Sequence, residues 1–125
     1  MSFLSSVKSL FSSAPRQSPA ECAQRVRSGE ALLVDVREPG EWAAGVADRA
    51  ALLPLSDLNG ARTHWKPFLA KAGKKEILLH CASGMRSGLA AKTLIAEGFH
   101  AANTGGLTDW REAGWSIKKT PRTDR

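Results

Sequence analysis

Short apolar runs alternate along the chain with stretches whose apolar residues recur every three or four positions, and this predicts a strand–helix series from residue 18 onward. Ser18-Pro19-Ala20-Glu21 has the serine and glutamate of a capping box with proline at the first helical position, and Gly29 supplies a stop, so a helix is predicted between them. An apolar strand over 31–36 follows, then a Pro39-Gly40 turn, a short helix around 41–43 and a strand near 50–53. Gly60 and Pro67 are expected to break 56–72 into one or two helical turns. Ile77, Leu78 and Leu79 read as part of a strand over 76–80 that is buried on both faces, and Ala90, Ala91, Leu94 and Ile95 place a helix over 87–97. A strand near 101–103 and a helix over about 107–113 complete the series. That order predicts an α/β fold, a parallel sheet with helices on both faces and with functional loops beyond the strand carboxyl ends.

One such loop carries the chemistry. His80-Cys81-Ala82-Ser83-Gly84-Met85-Arg86-Ser87 sets a cysteine between a buried strand and the start of a helix. Backbone N–H groups at a helix start lack partners within the helix and carry partial positive charge, so a thiolate or an anion fits there. Gly84 permits the positive φ that turns successive N–H groups inward, Arg86 adds a permanent cation, and Ser87 is expected to cap the helix and to donate toward the sulfur. Taken alone, a single intracellular cysteine is more often a buried structural residue. Its neighbours favour a nucleophile.

Several separated segments then resemble the rhodanese (sulfurtransferase) family, over residues 18–117. Asp35-Val36-Arg37 with Glu41-Trp42 and Gly45 is similar to its "DVR…E(W/F/Y)…G" signature. The segment 50–54 falls where the family runs through a short strand to a proline. Cys81-x-x-Gly84-x-Arg86-Ser87 matches its active-site loop, and Gly105-Gly106, Trp110, Ala113-Gly114 and Ile117 resemble its "GG…W…AG…" stretch. Two departures stand out: Val46-Ala47 where the family often has His-Ile, and a somewhat short 99–104 segment. The resemblance implies a single rhodanese-like domain with a central parallel sheet of about five strands. It further implies transfer of a sulfane sulfur through a Cys81 persulfide cradled by Ala82, Ser83, Gly84, Met85, Arg86 and Ser87. A small anionic donor such as thiosulfate, and an acceptor that is cyanide, a low-molecular-weight thiol or a thioredoxin-like protein, are the expected partners. No cofactor is implied.

Cysteine phosphatases with an "HCxxGxxR(S/T)" loop offer the competing resemblance. Four residues separate Cys81 from Arg86, whereas the phosphatase pattern has five. A tetrahedral phosphoryl group needs a ring of N–H donors wide enough for three oxygens, and a tighter ring suits one added sulfur. Phosphatase or arsenate reductase activity therefore ranks below sulfur transfer. A carrier that accepts sulfur from a partner protein without thiosulfate turnover is the alternative from a different class.

Asp35 and Arg37, at the end of a predicted strand, are expected to support the site. Asp35 is read as orienting the loop or Arg86, or accepting loop N–H bonds, and Arg37 as pairing with Glu41. Trp42, Trp110 and Trp115 read as core aromatics, Trp65 as a cover for the sheet edge, and Cys22 as a small buried hydrophobe. His80 is expected to point away from Cys81 by strand alternation. Met85 reads as an exposed loop residue. His64, His80 and His100 are scattered and no CxxC occurs, so a metal site has little support.

Length and composition narrow the picture further. The 125 residues, 42% hydrophobic, suit one domain over 17–118, flanked by an extension at 1–16 and a basic tail at 119–125. Two cysteines argue for a reducing, cytoplasmic setting over a disulfide framework. The net charge of +6 favours anionic ligands. Lys118, Lys119, Arg122 and Arg125, against Asp124, concentrate part of that charge in a tail without aromatic residues, so nucleic-acid binding is not expected. Phe3, Leu4, Val7, Leu10 and Phe11 recur at helical spacing beside one cation, Lys8. That pattern suits packing on the domain or self-association better than membrane contact.

Overall fold

A computed structural model describes residues 15–120; the amphipathic 1–14 segment and the end of the basic tail lie outside the described residues. Helix α1 (Pro19–Ser28) starts on the capping box read from sequence: the Ser18 hydroxyl accepts the Glu21 N–H and the Glu21 carboxylate accepts the Ser18 N–H. Gly29, in the left-handed region at φ 85°, stops it. Strand β1 (Ala31–Asp35), helix α2 (Pro39–Trp42) and the two-residue strands β2 (Val46–Ala47) and β3 (Ala51–Leu52) follow. Then come α3 (Leu55–Leu58), α4 (Trp65–Ala72), β4 (Glu76–Cys81), α5 (Met85–Ala96), β5 (Ala101–Gly106), α6 (Leu107–Glu112) and β6 (Ile117–Lys118).

The central sheet is parallel with strand order β3-β1-β4-β5, four strands where about five were expected. The remaining two strands, β2 and β6, pair antiparallel with each other apart from that sheet. Alternate side chains of the central strands enter two cores. Val34, Ile77 and Leu79 meet Leu58, Trp65 and Leu94 on one face, while Leu33 and Leu78 meet Cys22, Val26 and Trp110 on the other. Each fully buried leucine or isoleucine contributes about 2 kcal/mol through removal from water. Helices therefore cover both faces, and the residue ending β4, Cys81, falls at the strand carboxyl ends. No helix among the described residues is long and apolar enough to cross a membrane.

Four details differ from the sequence reading. Pro67 does not interrupt a helix: it lies in the first turn of α4, where a missing N–H leaves no bond unmade. The Asp57 carboxylate accepts the N–H groups of Thr63, His64 and Trp65, which supplies the cap that α4 lacks locally. Trp65 is not an edge cover but fully buried, its Nε1 donating to the Pro54 carbonyl at 2.9 Å. Trp42 is half-buried, whereas Trp110 and Trp115 are in the core. Strand β5 extends to Gly106, past the expected 103, because its glycines lie against the loop after β4.

That approach is close. A Cβ on Gly106 would stand 2.1 Å from the Ala82 carbonyl oxygen, and the obstacle is backbone, which cannot swing aside. The register between β4 and β5 shifts between Leu79 and Cys81, so that Cys81 pairs with Gly106. Gly106→Ala is expected to lower stability by about 1–3 kcal/mol, the usual range for overpacking, read as a drop in urea midpoint with unchanged m-value.

His80 has no exposed surface, and burial pushes its pKa below the ordinary 6.5 despite Asp35 Oδ2 at 3.8 Å, with Arg37 opposing the charge as well. The folded protein thus holds it neutral, whereas the unfolded chain binds a proton below about pH 6.5. Stability is full above that pH and falls as pH drops through it, by up to about 1.4 kcal/mol per pH unit from this group. Urea titrations between pH 7.5 and 5.5 should show that loss, and His80→Gln should flatten it.

Candidate active site

Cys81 ends β4 with no exposed surface. The chain then turns through Ala82 and Ser83, both exposed, to Gly84, whose φ of 102° is a left-handed conformation that favours glycine. This conformation delivers the Gly84 N–H to Cys81 Sγ at 3.0 Å. Gly84 is also the N-cap of α5, so Met85 and Arg86 open the helix and Ser87 lies inside its first turn. The expectation that Ser87 caps the helix is corrected accordingly. Its hydroxyl faces inward, 3.4 Å from Cys81 Sγ.

Burial is the largest influence on the Cys81 thiol and pushes its pKa up. The Ser87 hydroxyl and the N–H groups of Ser87, Gly84 and Ser83 together outweigh it, so the pKa lies below the ordinary value. The Ser87 hydroxyl has one proton, and Asn103 Oδ1 accepts it at 2.7 Å, a better bond than sulfur offers at 3.4 Å. The amides are therefore the fixed donors to the sulfur, and Ser87 is a donor that turns toward it. Cys22 contrasts: burial pushes its thiol up to about 11, and its sulfur faces the Ser18 carbonyl.

Asn103 was not singled out from the sequence, and it organises the loop from β5. Its Nδ2 donates to the Gly84 carbonyl at 2.8 Å, and its Oδ1 accepts from both Ser87 and the Gly105 N–H. An amide side chain in a strand of small residues ahead of Gly105-Gly106 was the available signal. Thr104 ties the same strand down, donating to the Leu79 carbonyl and accepting from Trp110 Nε1.

Arg86 is half-buried and its guanidinium forms a two-pronged pair with Glu41, at 2.7 and 2.8 Å. Arg86 holds the Glu41 carboxyl down to about 2, assisted by the Glu38 N–H, and Glu41 in turn raises the pKa of Arg86. Glu41 was expected to pair with Arg37. Instead Arg37 is buried against Asp35, with Nε 3.1 Å from both carboxylate oxygens and Nη2 2.8 Å from Oδ2. Asp35 also accepts the Arg37 N–H, and none of its hydrogen bonds goes to the 82–87 loop, which corrects its expected contact with the loop or Arg86. The remaining donors of Arg37 reach the carbonyls of Glu41 and Gly45. Asp35 and Arg37 thus fix the segment that carries Glu41, and Glu41 fixes Arg86. Both expected supporting contacts thus changed partner; for Arg37 the reason is that sequence spacing allowed it either carboxylate.

Met85 stands outside the sulfur's surroundings, 76% exposed. His80 turns away from Cys81 as the alternation of strand side chains predicts; its Nδ1 is 3.2 Å from the Cys81 carbonyl oxygen. Among the described residues no cluster of three His, Cys, Asp or Glu side chains is arranged to hold a metal ion. The site is thus a buried sulfur in a turn of amides, with one cation beside it whose charge is matched by a carboxylate.

Comparison with known proteins gives this arrangement its relatives. An uncharacterised protein of Synechocystis is 38% identical over 100 residues, covering 78% of this chain but 52% of its own length, so the chain spans about half of that relative. A rhodanese-related protein of Thermoplasma volcanium superposes with a TM-score of 0.68 at 27% identity, covering 82% of this chain and 96% of its own. A human single-domain sulfurtransferase superposes with a TM-score of 0.66 at 30% identity, covering 79% of this chain and 96% of its own. Residues 18–113 match the profile described as the Rhodanese-like domain, and with that match over most of its length the chain belongs to the rhodanese-like domain family.

Proposed function

We propose that the protein is a sulfurtransferase in which Cys81 takes up a sulfane sulfur and passes it to an acceptor. The observation that carries this reading is the Gly84 N–H at 3.0 Å from a sulfur that has no exposed surface. Such a donor, with the amides of Ser83 and Ser87, favours an anion on Cys81 in surroundings that would otherwise keep it protonated. The thiolate attacks the outer sulfur of thiosulfate, the S–S bond to the sulfonate breaks, and sulfite leaves with the electron pair. Cys81 is left as a persulfide anion. A thiolate or cyanide then attacks the outer sulfur of that persulfide and restores the Cys81 thiolate, completing a double displacement with no net change in charge at either step. The loop amides stabilise the negative sulfur as an oxyanion hole stabilises oxygen.

The spacing of the loop supports sulfur over phosphoryl chemistry. Four residues between Cys81 and Arg86 make a tighter turn than the five of the phosphatase pattern, and Arg86, paired with Glu41, also bears on the Cys81 sulfur. Kinship with a single-domain sulfurtransferase at 30% identity points the same way.

Two measurements test the reading. Thiosulfate treatment should add one sulfur to Cys81 by mass spectrometry and support thiocyanate formation from cyanide, both abolished in Cys81→Ser. Addition without turnover would instead indicate a carrier, and phosphate-ester hydrolysis lost in Cys81→Ser would overturn the proposal. Ser87→Ala should move the pH profile of Cys81 alkylation upward, so that its acid limb is about fivefold slower, the equivalent of a ~1 kcal/mol hydrogen bond.

A further inference from the structure

Arg86 and Arg16 lie at the loop, Arg37 holds the segment that carries Glu41, and the three differ in how their charge is matched. Arg37 is buried on Asp35 and Arg86 is paired with Glu41. Arg16, just before α1, forms no ion pair with any described carboxylate within 4.0 Å. Its backbone is held in a parallel bridge to Asn103: the Asn103 N–H donates to the Pro15 carbonyl and the Gln17 N–H to the Asn103 carbonyl. From there the side chain reaches the active-site loop. A Cβ on Gly84 would meet Arg16 Nη1 at 3.1 Å, and one on Gly105 would meet Nη2 at 3.0 Å. The two glycines leave the space in which the guanidinium lies. Asp109 Oδ2 abuts the same position of Gly105 as Arg16 Nη2 without reaching ion-pair distance, and it is engaged by the Gly106 N–H, which it accepts at 2.7 Å.

We infer that Arg16 is a specificity-determining residue of the site, a cation with no ion pair among the described residues that draws the anionic portion of a sulfur donor to Cys81. The inference rests on the proposed sulfur transfer for its substrate class, a sulfane donor with an anionic leaving group. Residues 81–87 carry no charged side chain besides Arg86, and Arg86 is matched by Glu41. The second cation comes from outside the loop, through the residue that pairs with Asn103. Its guanidinium is on the flank of Gly84, the residue whose N–H reaches the sulfur. An exposed cation at this range acts through a high dielectric, so its effect is moderate and is reduced by salt.

Alkylation separates charge from access, because iodoacetate and iodoacetamide attack sulfur by the same displacement and differ in one negative charge. Rates at Cys81, read from its peptide by mass spectrometry, would be compared in the full-length protein, Arg16→Gln and Arg16→Lys at low and high salt. Arg16→Gln should lower the iodoacetate-to-iodoacetamide ratio about three- to tenfold at low salt, with Arg16→Lys keeping most of it and high salt narrowing the difference. In turnover the same variant should raise the KM for thiosulfate while holding kcat. An unchanged ratio, or equal slowing by both reagents, would overturn the inference, the second outcome indicating that Arg16 only shapes the loop. A changed ratio in a protein that forms no persulfide would refute the sulfur-transfer reading and leave an anion-steering Arg16 standing.

Discussion

The hydrogen bond from the Gly84 amide to the Cys81 sulfur is the contact around which the rest of the site is arranged. A sulfur with no exposed surface is held neutral by its surroundings, and only donors aimed at it reverse that preference. The donor depends on a left-handed backbone at Gly84, and the turn depends on β5 approaching so closely that position 106 has no room for a Cβ. Asn103 completes the frame by binding the Gly84 carbonyl, the other face of the same turn. Backbone conformation, strand packing and thiol acidity are therefore one problem, and the small residues at 84, 105 and 106 are its common solution.

The buried pair Asp35–Arg37 plays a different part. Charges removed from water contribute little net stability even when well paired, since desolvation offsets their attraction, but removing one partner is costly. What the pair supplies is position. Arg37 turns its remaining donors on the carbonyls of Glu41 and Gly45, which locks the 41–45 segment to the end of β1. Glu41 then meets Arg86 from a fixed base, and the first turn of α5 is held from outside as well as from below. Two ion pairs in series connect a strand end to the 82–87 loop, although the first contains no residue in contact with the sulfur.

The sequence made the strands β1 and β4 legible because each is a continuous apolar run, and α1 because its capping box and terminal glycine are local signals. Strand β5 was only half visible: Ala101-Ala102-Asn103-Thr104-Gly105-Gly106 has a single β-branched residue, and its length is set by tertiary contact with the loop. The order of Cys81, Gly84 and Arg86 marked the candidate site, since the chemistry of a helix start follows from sequence neighbours. The partners of Arg37 and Glu41 did not follow, because both carboxylates lie within reach along the chain and only the fold decides between them. Asn103 was hidden for the related reason that its partners, Gly84 and Ser87, are distant in sequence and meet it only across the sheet.

On the proposed reading, the negative charge moves during the reaction, and the loop must serve both of its positions. In the resting thiolate it resides on Sγ, where the Gly84 amide and a turned Ser87 hydroxyl can reach it. In the persulfide it resides mainly on the outer sulfur, about 2.05 Å further out. A donor 3.0 Å from Sγ cannot be optimal for both atoms. The hydroxyl of Ser87 offers the adjustment, since its one proton can return to Asn103 Oδ1 at 2.7 Å when Sγ no longer bears the charge. Asn103 would then keep the Ser87 hydroxyl paired when the charge has moved outward, while the fixed amides of the turn remain the donors facing the sulfur, so that the change of state does not leave that buried hydroxyl unpaired.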